Sequence, residues 1–184
     1  MTPSITEVVG SPLVVPTISI PVVAPYEIAT VRDGHIVYRQ SIDHINKEKI
    51  MGVINRSLDD TLVAHYFDDK QNARFYIAED HLGAGVLQGV YIDILGVDPS
   101  KWGNGIASAL MHAMMEDTDG RFVLRSQPIP KRERANGWYT ELAERIGQVV
   151  NVDGINYNVY ARGIPESEKP HWLRVAREKP KNFE

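Results

Sequence analysis

The sequence predicts a mixed α/β domain preceded by an extended arm, and three observations carry that prediction. Two Asp-Gly turns, Asp33-Gly34 and Asp153-Gly154, each sit between β-prone runs, the pattern of tight hairpins. Between them, apolar residues recur at helical spacing in some segments and in short strand-like runs in others. Five of the eleven prolines fall in residues 1–25, which hold one charged side chain, Glu7.

The prolines Pro3, Pro12, Pro16, Pro21 and Pro25 forbid a helix there, because proline lacks the N–H donor and clashes with the preceding turn. Residues 1–25 are therefore an extended arm. Its valines and isoleucines need a surface to lie on, either the arm's own domain or a neighbouring subunit in an oligomer or larger assembly.

The globular pattern begins at Tyr26, with Tyr26–Arg32 and His35–Gln40 as a hairpin. Ile42, Ile45, Met51, Ile54 and Leu58 predict a helix with Asp43 as N-cap, and a short second helix follows over 60–66. Three strands come next: Ala73–Glu79, Gly83–Gln88 and Val90–Val97. Trp102–Glu116 is a Gly-rich turn opening into a helix, Arg121–Ser126 a strand, and Ala135–Ile146 a helix stopped by Gly147. Gln148–Val152 and Ile155–Arg162 form the second hairpin. After Pro165 the chain is a polar tail, in which Trp172, Leu173 and Val175 suit a short amphipathic helix or an irregular segment.

Composition narrows the chemistry. The 184 residues contain no cysteine, which removes disulfides, thiolate metal sites and a cysteine nucleophile. Twenty Lys and Arg against 24 Asp and Glu give a net charge of −4, with no global pull toward nucleic acid. No stretch of about 18 apolar residues suggests a membrane span. His35, His44, His65 and His81 show no metal-ligand spacing. The expectation is a soluble, cytoplasmic protein without a metal.

The informative stretch runs from Tyr91 to Leu110. A buried strand reaches Asp98-Pro99, turns, and enters a helix through Gly103 and Gly105. Glycines permit tight turns and close backbone approach, and a helix start offers unpaired N–H groups that favour phosphate. A P-loop is excluded, since no Gly-Lys-Ser/Thr stands at the helix start. A dinucleotide fingerprint is excluded as well: five residues separate Val97 from Gly103, and the next strand carries no acid.

Leu95-Gly96-Val97-Asp98-Pro99 followed by Trp102-Gly103-Asn104-Gly105-Ile106-Ala107 resembles the acyl-CoA loop of the GNAT-type N-acetyltransferase superfamily. That loop reads Leu-x-Val-x-Pro, a short turn, then Gln/Arg-x-x-Gly-x-Gly/Ala. Trp102 departs from the Gln or Arg, with Lys101 beside it as a substitute charge. Downstream, Asn136 and Gly147 match the family's next helix, but Ala143 stands where a tyrosine is usual; Tyr139 lies one turn earlier.

The resemblance covers residues 26–163, leaving 1–25 and 164–184 outside it. It implies a mainly antiparallel central sheet flanked by helices, with acetyl-CoA as acyl donor, no metal, and an amine acceptor that is a small molecule or a protein. The amides of Gly103–Ala107 would cradle the pyrophosphate, with Lys101, Ser108 and Asn136 adding contacts. The strand ending at Val97 would splay from its neighbour, and Leu95, Gly96 and Val97 would pair with the pantetheine arm. The tetrahedral step needs no covalent enzyme intermediate, so the missing cysteine is no obstacle.

Asp93 is the candidate base, sharing a strand face with Tyr91 and Leu95; amid apolar neighbours its pKa would rise. The competing reading pairs it with a basic group. Glu79 is a second choice as base, and Tyr139 is the candidate acid or else core. Trp138 and Tyr139 are an acceptor-pocket wall or core, and Lys131–Arg134 a phosphate contact, an acidic partner's contact or a solvated loop. Two function classes remain: an acyl-CoA-dependent N-acyltransferase, or a catalytically inactive GNAT-like binding or structural protein within a larger assembly such as a virus particle.

Overall fold

The structure is a computed structural model that describes residues 28–184; the proline-rich arm, residues 1–25, lies outside the described residues. An eight-stranded sheet runs through the domain. Its strands are β1 (Ile28–Arg32), β2 (His35–Gln40), β3 (Arg74–Ala78), β4 (Gly83–Gln88), β5 (Tyr91–Val97), β6 (Phe122–Ser126), β7 (Glu144–Val150) and β8 (Asn156–Arg162), in the order β1-β2-β3-β4-β5-β6-β8-β7. Every neighbouring pair is antiparallel except β5 with β6.

Among the described residues, four helices cover the sheet: α1 (Lys47–Leu58), α2 (Ile106–Glu116), α3 (Glu133–Leu142) and α4 (Lys169–Glu178). The alternation of β3 sorts the two faces. Phe75 and Ile77 bury against α1, whereas Tyr76 and Ala78 bury against α2. A third apolar cluster joins Tyr91, Val123 and Val159 to Trp172, Leu173 and Val175 of α4.

The β4–β5 register positions the site. Leu87 pairs with Ile92 but Val86 with Ile94, so Asp93 is an extra residue in β5, a β-bulge. The bulge breaks the two-residue alternation. Asp93 and Ile94 follow one another onto the α1 side, while Leu95 packs toward α2. The expected shared face of Asp93 and Leu95 is therefore wrong.

Several predicted boundaries also move. Helix α1 starts later, capped by Asn46 rather than Asp43, with Asn46 Oδ1 accepting from the Lys49 amide at 3.0 Å. Residues 60–66 are not helical; Leu62 instead forms a β-bridge with Phe183. Helix α3 ends at Leu142, and Gly147 lies inside β7, where a Cβ would sit 2.9 Å from a Leu173 methyl. The glycine admits α4; it does not stop a helix.

In residues 164–184 the amphipathic-helix alternative holds: Trp172, Leu173 and Val175 of α4 pack against the sheet. Trp172 stacks on Tyr91 with ring centroids 6.4 Å apart. Beyond α4, the Val63 amide donates to the Asn182 carbonyl at 3.0 Å and the Glu184 amide to the Thr61 carbonyl at 2.9 Å. Among the described residues, no helix is long and apolar enough to cross a membrane.

Candidate active site

Strands β5 and β6 pair only at Tyr91–Val123 and Ile92–Leu124, then part. The opening past Ile92 is the floor of a cleft of about 470 Å³. Its walls are the Gly-rich turn and first turn of α2 on one side, the start of α3 on another, and Asn182-Phe183 at the far end. Two adjacent strands that stop pairing leave backbone groups without ladder partners, and such groups demand other acceptors and donors.

Part of that edge is satisfied from within. The Val97 amide donates to Ser57 Oγ at 2.9 Å, and the Val97 carbonyl accepts from Trp102 Nε1 at 2.9 Å. The Asp93 carbonyl accepts from Asn182 Nδ2 at 3.2 Å. Between them, Leu95 lines the cleft, and strand alternation turns its amide and carbonyl the same way as those of Val97. The expectation that Val97 offers its backbone to a ligand is thus corrected: Ser57 and Trp102 already hold it.

The Gly-rich turn is shaped by backbone necessity. Gly103 and Gly105 adopt φ of 86° and 85°, the left-handed region that favours glycine. Gly105 is the N-cap of α2 and provides no side-chain cap, so the first-turn amides of Ile106, Ala107 and Ser108 have no intrahelical acceptor. All three residues line the cleft, as do Lys101 and Trp102. Trp102 is 50% exposed, with the Arg134 guanidinium 5.9 Å from its ring centroid.

Two predicted contacts point elsewhere. Asn104 does not line the cleft: its amide donates to the Lys101 carbonyl, and its own carbonyl accepts from His35 Nε2 at 2.6 Å. Asn136 also lies off the cleft, with Nδ2 donating to the Gln127 carbonyl at 2.9 Å and Oδ1 accepting from the Tyr160 hydroxyl. It fastens α3 to the end of β6.

Asp93 corrects the expected raised pKa. Its side chain is 1% exposed and lies 3.1 Å from Lys179 Nζ and 3.3 Å from Lys70 Nζ, with the Tyr66 hydroxyl donating at 2.8 Å. Burial pushes the carboxyl up, but the two ammonium groups and the Tyr66 hydrogen bond outweigh it and hold it below the ordinary value. The paired reading is the one the geometry supports. Glu79 is likewise engaged: it accepts from the Ile36 amide and binds His35 Nδ1 at 2.8 Å.

Tyr139 does reach the cleft, partly buried beside Trp138 and Tyr160. Burial pushes its phenol up to about 12, with Arg132 acting in the opposite direction. At neutral pH it is a proton donor. Toward Phe183, Lys131 Nζ donates to the Asp59 carbonyl at 3.0 Å and lies 3.4 Å from Asp60, while Arg132 lies 3.5 Å from Asp60. His112 sits on α2 away from the cleft, bonded to Asp33 at 2.8 Å.

Sequence reasoning missed Ser57, Arg125, Tyr157, Asn182 and Phe183, all of which line the cleft. They come from four separate places in the chain, and no local spacing signals them. A phenylalanine in an otherwise polar C-terminal stretch was the one available hint. Among the described residues, no group of three His, Asp or Glu is arranged to hold a metal ion.

No family model and no curated protein matches the sequence. Solved structures do. A putative acetyltransferase of the GNAT family from Desulfovibrio desulfuricans superposes with a TM-score of 0.55 at 14% identity, covering 70% of this chain and 98% of that one. Arabidopsis thaliana Naa50, solved with a bisubstrate analogue of CoA and a peptide, gives 0.54 at 17% identity over 70% and 99%. Apo YjaB from Escherichia coli gives 0.53 at 19% identity over 70% and 99%. The fold of this chain is that of the GNAT-type acetyltransferases, a mainly antiparallel sheet flanked by helices with one splayed parallel pair.

Proposed function

We propose that this chain is an acyl-CoA-dependent N-acyltransferase, transferring acetyl from acetyl-CoA to a primary amine by direct attack. The observation that carries the reading is the β5–β6 pair opening beside a helix whose first-turn amides lack acceptors.

The residues present fit such a donor. Amides of Ile106–Ser108, with Lys101 and Arg134 flanking them, suit a pyrophosphate. Leu95 is the open rung of β5 for an amide-bearing arm. A cleft of this volume accommodates a chain of that kind with room for an acceptor at the Phe183 end.

Chemistry follows from what the cleft lacks. Among the described residues its only lining carboxylate is Asp93, which is engaged, so none of them offers a free side-chain carboxylate as base. The cations around the cleft disfavour an ammonium and lower the acceptor's pKa, so the neutral amine is populated after losing its proton to water. Its nitrogen forms the C–N bond to the acetyl carbonyl carbon and gives its surplus proton to water, the C–S bond breaks as the carbonyl re-forms, and the Tyr139 phenol gives its proton to the departing sulfur. Water returns a proton to Tyr139.

Calorimetry with acetyl-CoA tests the reading. Saturable binding is expected from the native protein, and Gly105→Glu is expected to weaken it by about 100-fold, through strain at a left-handed φ and a new side chain crowding His35, which holds the turn. Tyr139→Phe is expected to lower kcat by about 100-fold while leaving acetyl-CoA affinity in place. Failure of the native protein to bind acetyl-CoA overturns the proposal. Binding without CoA release on any amine favours instead a GNAT-like binding or structural role.

A further inference from the structure

We infer that the acceptor carries an anionic group close to its reacting amine, and that Arg132, assisted by Lys131, recognises that group. The inference rests on the transferase reading and adds a substrate class to it.

The first argument is charge. A polycationic acceptor needs carboxylates to bind, yet among the described residues Asp93 is the only one that lines the cleft. Its side chain is 1% exposed and matched by two lysines. The lining cations number five: Lys101, Arg125, Lys131, Arg132 and Arg134. Lys101 and Arg134 stand at the Gly-rich turn, where phosphate is expected. Arg125 is fully engaged, donating at 2.7 Å to the carbonyls of Ala176 and Lys179 and covering the Tyr157 ring. Lys131 and Arg132 remain, and Asp60 is the carboxylate paired with both.

The second argument is hydrogen bonding. The Arg132 side chain is 12% exposed, and its buried Nε and Nη2 donate to nothing. Asp60 stands 3.5 Å from Nη2 without hydrogen-bond geometry, and the Phe183 ring lies 5.2 Å from the guanidinium carbon. Buried guanidinium N–H groups without acceptors are costly, and their forked geometry matches a carboxylate or phosphate bidentately. Arg132 thus lies at the Asp60–Phe183 end of the cleft, while Arg134 faces the Gly-rich turn. The free fork therefore serves the acceptor.

The chemistry is an oxyanion beside a primary amine, whether the carboxylate of an acidic N-terminal residue or the phosphate of a small phosphoamine. CoA release would be measured on matched pairs: Glu-initiated against Gln-initiated tetrapeptide, and phosphoethanolamine against ethanolamine, with spermidine as the cationic control. The anionic member of at least one pair is expected to lead in kcat/KM by about ten-fold or more, and which pair responds identifies the source. Arg132→Gln is expected to collapse that ratio toward one, with Arg132→Lys restoring part of it.

Equal or better turnover of neutral amines or spermidine overturns the inference while leaving the transferase reading intact. A ratio that neither variant moves overturns it too. If Arg132→Gln weakens CoA binding but not 3′-dephospho-CoA binding, Arg132 serves the donor's phosphate and the inference fails. Should Arg132→Gln not fold by thermal melting, the native pairs and Arg132→Lys decide. No acetyl-CoA binding by the native protein, or no turnover of any amine, defeats the transferase reading and this inference together.

Discussion

At the scale of single residues, Asp93 and Trp102 are the two positions where local chemistry and location diverge most. Asp93 is a carboxylate in an apolar strand, and by itself that environment calls for a raised pKa. Two lysines from distant segments reverse the sign. Replacing it by Asn leaves Lys70 and Lys179 buried beside an uncharged amide, which is expected to cost about 3–5 kcal/mol in denaturant unfolding. A carboxyl held below its ordinary value near 3.8 stabilises the fold fully above that value. Its contribution is lost as pH falls through the folded-state value. Unfolding measured against pH should therefore show an acid-side loss that Asp93→Asn flattens, whereas folded Asp93→Asn should keep the native pH–rate profile. Trp102 stands where the loop this turn resembles has Gln or Arg, and it uses its indole N–H to close the Val97 carbonyl. An aromatic donor there makes the cleft's entrance apolar on one face.

At the scale of elements, the position of the Gly-rich turn depends on what α2 packs against and on what the β1–β2 hairpin holds. Gly83 of β4 lies under α2: a Cβ there would meet Ile106 and Leu110 methyls at 2.9 Å and the Gly96 carbonyl at 3.2 Å. Gly83→Ala is expected to destabilise by about 1–3 kcal/mol and, by lifting the start of α2, to weaken acetyl-CoA binding in the same calorimetric assay. From the other side, His35 bridges Glu79 and the Asn104 carbonyl. Both partners are acceptors, so the bridge is complete when the imidazole is protonated, and its pKa is raised, first by the Glu79 hydrogen bond and then by Asn104. With the folded value above the ordinary 6.5, the bridge is fully present below 6.5 and lost as pH rises through the folded value. Glu79 is held below its ordinary value of 4.5, burial working against the His35 and Ile36 contacts, so its share fails only in acid. Once the intrinsic base-catalysed rate is divided out, hydrogen-exchange protection of the turn amides is expected to fall as pH rises through the folded His35 value, and His35→Gln should remove that fall.

At the scale of the whole molecule, the chain closes on itself. Residues near its C-terminal side cover Tyr91, neutralise Asp93 and cap the open edge of β5 through Asn182. A residue of that closure is testable without dismantling it: Trp172→Ala removes the ring stacked on Tyr91 and is expected to cost about 3 kcal/mol in urea unfolding. The effect should appear as a lower midpoint with an unchanged slope. The same closure defines one end of the cleft, because Phe183 forms a β-bridge with Leu62 and lies under Arg132.

What the sequence by itself determined is the content of local rules. Hairpins at Asp-Gly, the β-strands around them, the helix entered through Gly103 and Gly105, and the phosphate-favouring turn all follow from backbone preferences within a few residues. The splay after β5 came with the family resemblance, and the β5–β6 register bears it out. Tertiary structure decided the rest. The bulge at Asp93 depends on the register between two strands, which no periodicity within one strand reports. The sign of the Asp93 shift depends on Lys70 and Lys179, 23 and 86 residues away. The readings of Asn104 and Asn136 as ligand contacts gave way because the Asn104 carbonyl accepts from His35 and the Asn136 side-chain amide donates to the Gln127 carbonyl, both off the cleft. A backbone carries its preferences in its own torsions, but charge pairing and burial are set by neighbours in space, and the fold alone brings those together.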